Sequence, residues 1–115
     1  MELHEHEGKA LLAQYGLPVP RGEAVPSPDA AVSAARRLGY PVMLKAQIPG
    51  GGRGRAGKII QAENDAEVRA EAVRLLGGAI GSHGGESLLV EEYVAAAREL
   101  YLSYVLDPDI ERLLL

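Results

Sequence analysis

The chain has 115 residues, a formal net charge of −4 and no cysteine. That length holds one small domain with a real core, and the missing thiols exclude disulfides, thiolate catalysis and cysteine-based zinc sites. Five Tyr are the only aromatics in an acidic chain, which disfavours base stacking on nucleic acid and any general polyanion or anionic-membrane surface.

No apolar run is long enough to span a bilayer and no signal-peptide pattern opens the chain, so the expected location is cytoplasmic, with neither nucleic acid nor membrane as a partner. In chain order, a short helix is expected from about His4 to Tyr15, with Leu11, Leu12 and Tyr15 on one face and Gly16 just past its end. Pro18 and Pro20 then enforce an extended connection. Ser27-Pro28-Asp29 starts the next helix, with Ser at the N-cap, Pro at the first helical position and Asp in the first turn. Ala31, Ala34, Ala35 and Leu38 follow at helical spacing, and Gly39 closes the helix before a strand over Val42–Ala46.

A second strand is expected over Lys58–Gln61. Asn64-Asp65-Ala66-Glu67 resembles a capping box, and Val68, Ala72, Leu75 and Leu76 form the apolar face of a third helix that ends at Gly77. After a glycine-rich loop, strands are expected over Leu88–Tyr93 and Leu100–Leu106. Asp107-Pro108-Asp109 then supplies turn chemistry before a strand-like Ile110–Leu115. An end on three leucines reads as a truncated chain. The pattern predicts an α+β lobe: a mixed sheet of the Val42, Lys58, Leu88 and Leu100 strands, helices on one face, and a Gly-rich flap hairpin.

Chemistry concentrates in two places. Gly50-Gly51-Gly52-Arg53-Gly54-Arg55-Ala56-Gly57 combines five glycines with two arginines directly after the Val42–Ala46 strand. Glycines let backbone N–H groups approach an anion, and arginines add charge suited to phosphate oxygens. Gly52-x-Gly54-x-x-Gly57 matches a dinucleotide-binding pattern, but a strand follows instead of the required helix, and no Gly-Lys-Ser/Thr follows either. What remains is a hairpin tip, either folding over phosphates or carrying no ligand. Lys45 alternates with Leu44 and Ala46, so it shares a face with Met43 and Gln47; it is a solvent-facing lysine or a point charge aimed at phosphate from under the hairpin.

The second place is Leu88–Val94 followed by Arg98-Glu99-Leu100. An apolar strand ending in acids at Glu91 and Glu92, followed by a polar excursion, suits a purine slot. Backbone groups near Val94 would read the base edge, and a carboxylate would take ribose hydroxyls. Charged strand ends at the surface are the alternative. His4 and His6, two apart on a helix, are expected to point to different sides, and His83 has no obvious partner. Neither a metal site nor a catalytic histidine is expected.

With these pieces in place the chain resembles the N-terminal part of the β subunits of succinate–CoA ligases. The likeness runs through Leu3-His4-Glu5-His6-Glu7-Gly8-Lys9, Tyr15-Gly16-Leu17-Pro18-Val19-Pro20, Lys45-Ala46-Gln47, Gly51–Gly57, Leu88-Leu89-Val90-Glu91 and Arg98-Glu99-Leu100-Tyr101, in order and over essentially the whole chain. Pro49, Arg55 and Lys58 depart from the family pattern, where histidine, lysine and glycine are usual.

The resemblance implies the N-terminal lobe of an ATP-grasp domain, over residues 1–115, that binds ATP or GTP. Lys45 would contact the phosphates. Gly52, Arg53 and Gly54 would form the flap, Glu91 and Val94 the adenine hinge, and Glu99 would hold the ribose. Mg²⁺ ligands would lie beyond residue 115, and a separate α subunit would carry the phosphohistidine and CoA. The implied reaction converts succinate, CoA and ATP to succinyl-CoA, ADP and phosphate, and the chain alone would lack it. A malate–CoA ligase, another ATP-grasp ligase, or a stand-alone nucleotide-binding or interaction module are the other readings.

Overall fold

Small apolar side chains at helical spacing, set against two alternating apolar strands, produce one dry interface in this chain. A computed structural model describes residues 3–47, 59–77, 87–107, 109 and 112–114. Three helices, α1 (Glu5–Gln14), α2 (Pro28–Leu38) and α3 (Asp65–Leu76), accompany six strands: β1 (Gly22–Val25), β2 (Val42–Gln47), β3 (Ile59–Ala62), β4 (Ser87–Glu92), β5 (Val105–Asp107) and β6 (Arg112–Leu114). Four of the strands form a sheet in the order β1-β4-β2-β3, and β5 pairs with β6 separately.

The two core helices start and stop as their residues dictate. The Ser27 hydroxyl accepts from the Ala30 N–H at 3.2 Å, and Pro28 opens α2. Gly39, at φ +89°, ends the helix in a conformation that side chains with a Cβ rarely adopt. At α3 the Asn64 side chain accepts from the Glu67 N–H at 3.0 Å. The returning half of the expected box is shifted by one residue, since the Glu67 carboxylate takes the Glu63 N–H at 2.8 Å. Ala31, Val32, Ala34 and Ala35 of α2 and Val68, Ala72 and Leu75 of α3 are buried. They pack with Val25, Val42, Leu44, Ala46, Ala62, Leu88 and Val90 as a single core. Each fully buried Leu or Val there contributes roughly 1.5–3 kcal/mol. Tyr40 donates its hydroxyl to Asp65, which Arg36 also holds, so the end of α2 is tied to the start of α3. Burial, and next the Asp65 carboxylate, push that hydroxyl up to about 12.

Four expectations are corrected. The sheet is not mixed in strand direction, because β1–β4, β2–β4 and β2–β3 are all antiparallel. Its fourth strand is Gly22–Val25 and not Leu100–Leu106. Leu100–Tyr104 has no regular structure, and only Val105–Asp107 is strand, outside this sheet. A four-residue edge strand that buries Val25 alone carries no alternation to read. Arg21 fastens that edge, with its N–H and Nε on the Glu92 carboxylate at 2.8 and 3.0 Å. Finally, the helices do not share one face: α2 and α3 cover one side of the sheet, whereas α1 meets side chains of the other. Gly50–Gly57, where a flap hairpin is expected, lies outside the described residues.

Candidate functional site

Antiparallel pairing places directly opposed residues on the same face. The register Lys45↔Leu89, Met43↔Glu91 and Gly22↔Glu91 therefore puts Met43, Lys45 and Gln47 of β2, Leu89 and Glu91 of β4, and Gly22 and Ala24 of β1 together. This is the face that α1 covers.

Contrary to the sequence pattern, α1 does not dock through Leu11, Leu12 and Tyr15, which are exposed; none of its residues is buried. It docks through its polar side. Lys45 Nζ donates to Glu5 Oε1 at 2.8 Å and to Glu91 Oε1 at 2.9 Å. Lys9 Nζ lies 2.9 Å from the same Glu5 Oε1 and pairs with Glu91 Oε2. Two lysines and two glutamates thus alternate in a closed ring. Glu91 is its buried member, with a side chain 4% exposed. Beside the ring, Gln47 Oε1 accepts from the His6 N–H at 3.1 Å and contacts His6 Nδ1 at 3.0 Å, while Gln47 Nε2 donates to the Lys45 carbonyl at 3.1 Å. The backbone partners set the amide orientation, so the contact at His6 Nδ1 is a hydrogen bond in the tautomer that donates from that nitrogen.

The ring shifts its own protonation equilibria. Burial pushes the Glu5 carboxyl up, but Lys45 and Lys9 outweigh it and hold the group below its ordinary value. Burial likewise pushes Lys45 down, and the carboxylates of Glu5 and Glu91 outweigh it, so the ammonium is held above its ordinary value. Both shifts favour the charged forms of Glu5 and Lys45, in an environment where charge-assisted contacts are stronger than in open water.

A cleft of about 370 Å³ opens next to the ring. Ala10, Ala13, Val19, Pro20, Ala24 and Leu89 make its apolar walls, and His6, Lys9, Arg21 and Glu91 its polar margin.

Of the residues expected to form a site, the structure brings Lys45 and Glu91 together. Lys45 is neither solvent-facing nor unpartnered, and the Glu91 carboxylate turns inward instead of ending the strand at the surface. Val94 and Glu99 are exposed on the irregular stretch after β4. Gly52, Arg53 and Gly54 lie outside the described residues. Sequence reasoning missed Glu5 and Lys9, although their i,i+4 spacing is the signal of a helical ion pair. His4 and His6 stack with ring centroids 5.8 Å apart and do not diverge, because His4 caps the helix from an extended conformation and is not part of it. Among the described residues no cluster of three or more His, Asp or Glu able to hold a metal ion is found, and no helix is long and apolar enough to cross a membrane.

A model of the ATP-grasp domain matches residues 2–115. The succinate–CoA ligase (ADP-forming) subunit beta of Desulfatibacillum aliphaticivorans is 45% identical in an alignment taking in 93% of this chain and 30% of the relative. The chain spans about 30% of the length of the curated relatives it matches. Among solved structures, the dinucleotide-forming acetyl-coenzyme A synthetase 1 of Ca. Korarchaeum cryptofilum, in complex with coenzyme A, Ca-AMPCP and HgCl⁺, is similar with a TM-score of 0.78 at 28% identity, over 96% of this chain and 50% of that one. A second structure of that protein, with coenzyme A, acetyl-coenzyme A and a phosphorylated phosphohistidine segment, has a TM-score of 0.70 at 28% identity, over 96% of this chain and 49% of that one.

Proposed function

The chain belongs to the ATP-grasp domain family, and from that premise we propose that it is the nucleotide-binding portion of the β subunit of an ATP-dependent succinate–CoA ligase. The observation that carries this reading is Lys45, an ammonium on the central strand β2, half-buried and held in place by Glu91 on β4. A fixed ammonium on a sheet face fits a polyphosphate: it donates to phosphate oxygens and neutralises their charge. The relatives named as succinate–CoA ligase subunits and the fold likeness to an acetyl-coenzyme A synthetase support the acid–thiol ligase class.

In this reading Lys45 orients the phosphates, while Gly52, Arg53 and Gly54 cover them with backbone N–H groups and a guanidinium. Glu91 positions Lys45 and borders the adenine hinge with Val94, and Glu99 takes the ribose hydroxyls. Bound ATP, or GTP, supplies the phosphoryl group. Mg²⁺ offsets charge between the phosphates, and its ligands are assigned to a part of such a subunit that this chain does not include. The partner is a CoA-binding α subunit carrying the phosphohistidine, and the setting is the cytoplasm.

Phosphoryl transfer depends mostly on positioning and electrostatic stabilisation, so binding is the direct test. Calorimetric titration of ATP into full-length Lys45→Ala and Arg53→Ala proteins should show losses of about 1.5–3 kcal/mol each. Unchanged dissociation constants in both overturn the site. Thioester formation assayed with succinate and with malate then decides the acid.

A further inference from the structure

The ring contains a feature that an ion-pair network does not require. One oxygen, Glu5 Oε1, is shared by two ammonium groups, Lys45 Nζ at 2.8 Å and Lys9 Nζ at 2.9 Å. Two lysines converging on one oxygen from different elements, a strand and a helix, form a two-point oxyanion site. We propose that Lys9 is a second phosphate-binding residue, and that the Glu5 carboxylate is an internal stand-in which a phosphate oxygen of the nucleotide displaces. This rests on the nucleotide reading above and extends it to α1.

The geometry supports exchange over a purely structural ring. Glu91 uses both oxygens, one for each lysine, and its side chain is 4% exposed, so it stays as the buried counter-charge. Glu5 is more accessible, at 17%, and sits on a helix that buries none of its residues. The inner acid therefore anchors both lysines, while the outer acid occupies the position that an incoming anion needs. Lys9 also borders the cleft with Glu91, so its ammonium faces open space beside the ring. A carboxylate and a phosphate oxygen make the same charge-assisted contact with an ammonium. A polyphosphate brings several such oxygens, and so wins the exchange.

The substitutions then have opposite signs. In the full-length polypeptide Lys9→Met should weaken ATP binding by about tenfold, the order expected for one charge-assisted contact. Lys9→Arg should restore most of the loss. Glu5→Gln, which keeps the shape and removes the competitor's charge, should tighten binding by about threefold or more. Inorganic triphosphate should follow the same signs, since the contact is to phosphate and not to the base. A ring that only held α1 in place would lose affinity in both Lys9→Met and Glu5→Gln. Isothermal titration of the variants, with thermal unfolding to verify folding, decides the matter. An affinity of Glu5→Gln that is unchanged or weaker overturns the proposal, as does a Lys9→Met affinity within about twofold of wild type while Lys45→Ala is impaired. If Lys45→Ala and Arg53→Ala both bind normally, the nucleotide reading itself fails.

Discussion

The two faces of the four-stranded sheet are held by opposite means. On one, α2 and α3 press alanines, valines and leucines against Val42, Leu44, Leu88 and Val90, and water is excluded. On the other, α1 rests on a ring of four charges and a glutamine, and turns Leu11, Leu12 and Tyr15 outward. The first face gains from apolar area removed from water, which involves no titrating group. The second gains from charge pairs whose attraction is partly offset by desolvation, so it holds its helix weakly. One sheet is thus held by apolar burial on one side and by charge on the other.

The strongest way to break this contrast is in the dry core. Leu44→Ala removes a side chain with no exposed surface and should cost about 3–5 kcal/mol by urea denaturation. A cost below about 1 kcal/mol would mean that the two faces do not differ as described.

Acid should separate the faces more gently. Glu5 is held below the free value of 4.5, so its contribution is complete above that pH and is lost as the pH falls through the lowered native value. Lys45 is held above 10.5, so its contribution is complete below that pH and is lost on the alkaline side. Amide hydrogen exchange between pH 6 and 3 should therefore show α1 losing protection while α3, packed through Val68, Ala72 and Leu75, keeps most of its own. Glu5→Gln should remove that component of the acid response. Simultaneous loss in both helices would show that the charged face is not the weaker one.

The smallest effect sharpens the contrast from the other side. Leu11 is 45% exposed, and Leu11→Ala should change stability by no more than about 0.5 kcal/mol. A loss comparable to that at Leu44 would place Leu11 in a buried contact.

Much of the dry face was legible beforehand. Ser27-Pro28 and Asn64 mark helix starts by local hydrogen bonding, Gly39 marks a helix end by backbone freedom, and the spacing of Ala31, Ala34, Ala35, Val68, Ala72 and Leu75 names the buried stripes. The apolar strands from Val42 and Leu88 follow from their own side chains. The edge strand Gly22–Val25 was not legible, because its residues acquire a strand's geometry only by pairing with Leu88–Glu91. The orientation of α1 was not legible for a related reason. An apolar triplet ordinarily marks the packed side of a helix, but the sheet face awaiting this one presents Lys45, Gln47 and Glu91.

By itself the sequence determined the helix caps, the two core strands, the apolar stripes and the resemblance to a ligase family, all set by interactions within a few residues or by ordered motifs. Only the tertiary structure decided that Glu5 and Lys9 belong with Lys45 and Glu91. Those contacts span 40 residues from Lys45 to Glu5 and 82 from Lys9 to Glu91. They exist because antiparallel register puts Lys45 and Glu91 on one face and α1 lies across it, a coincidence in space that no local pattern encodes.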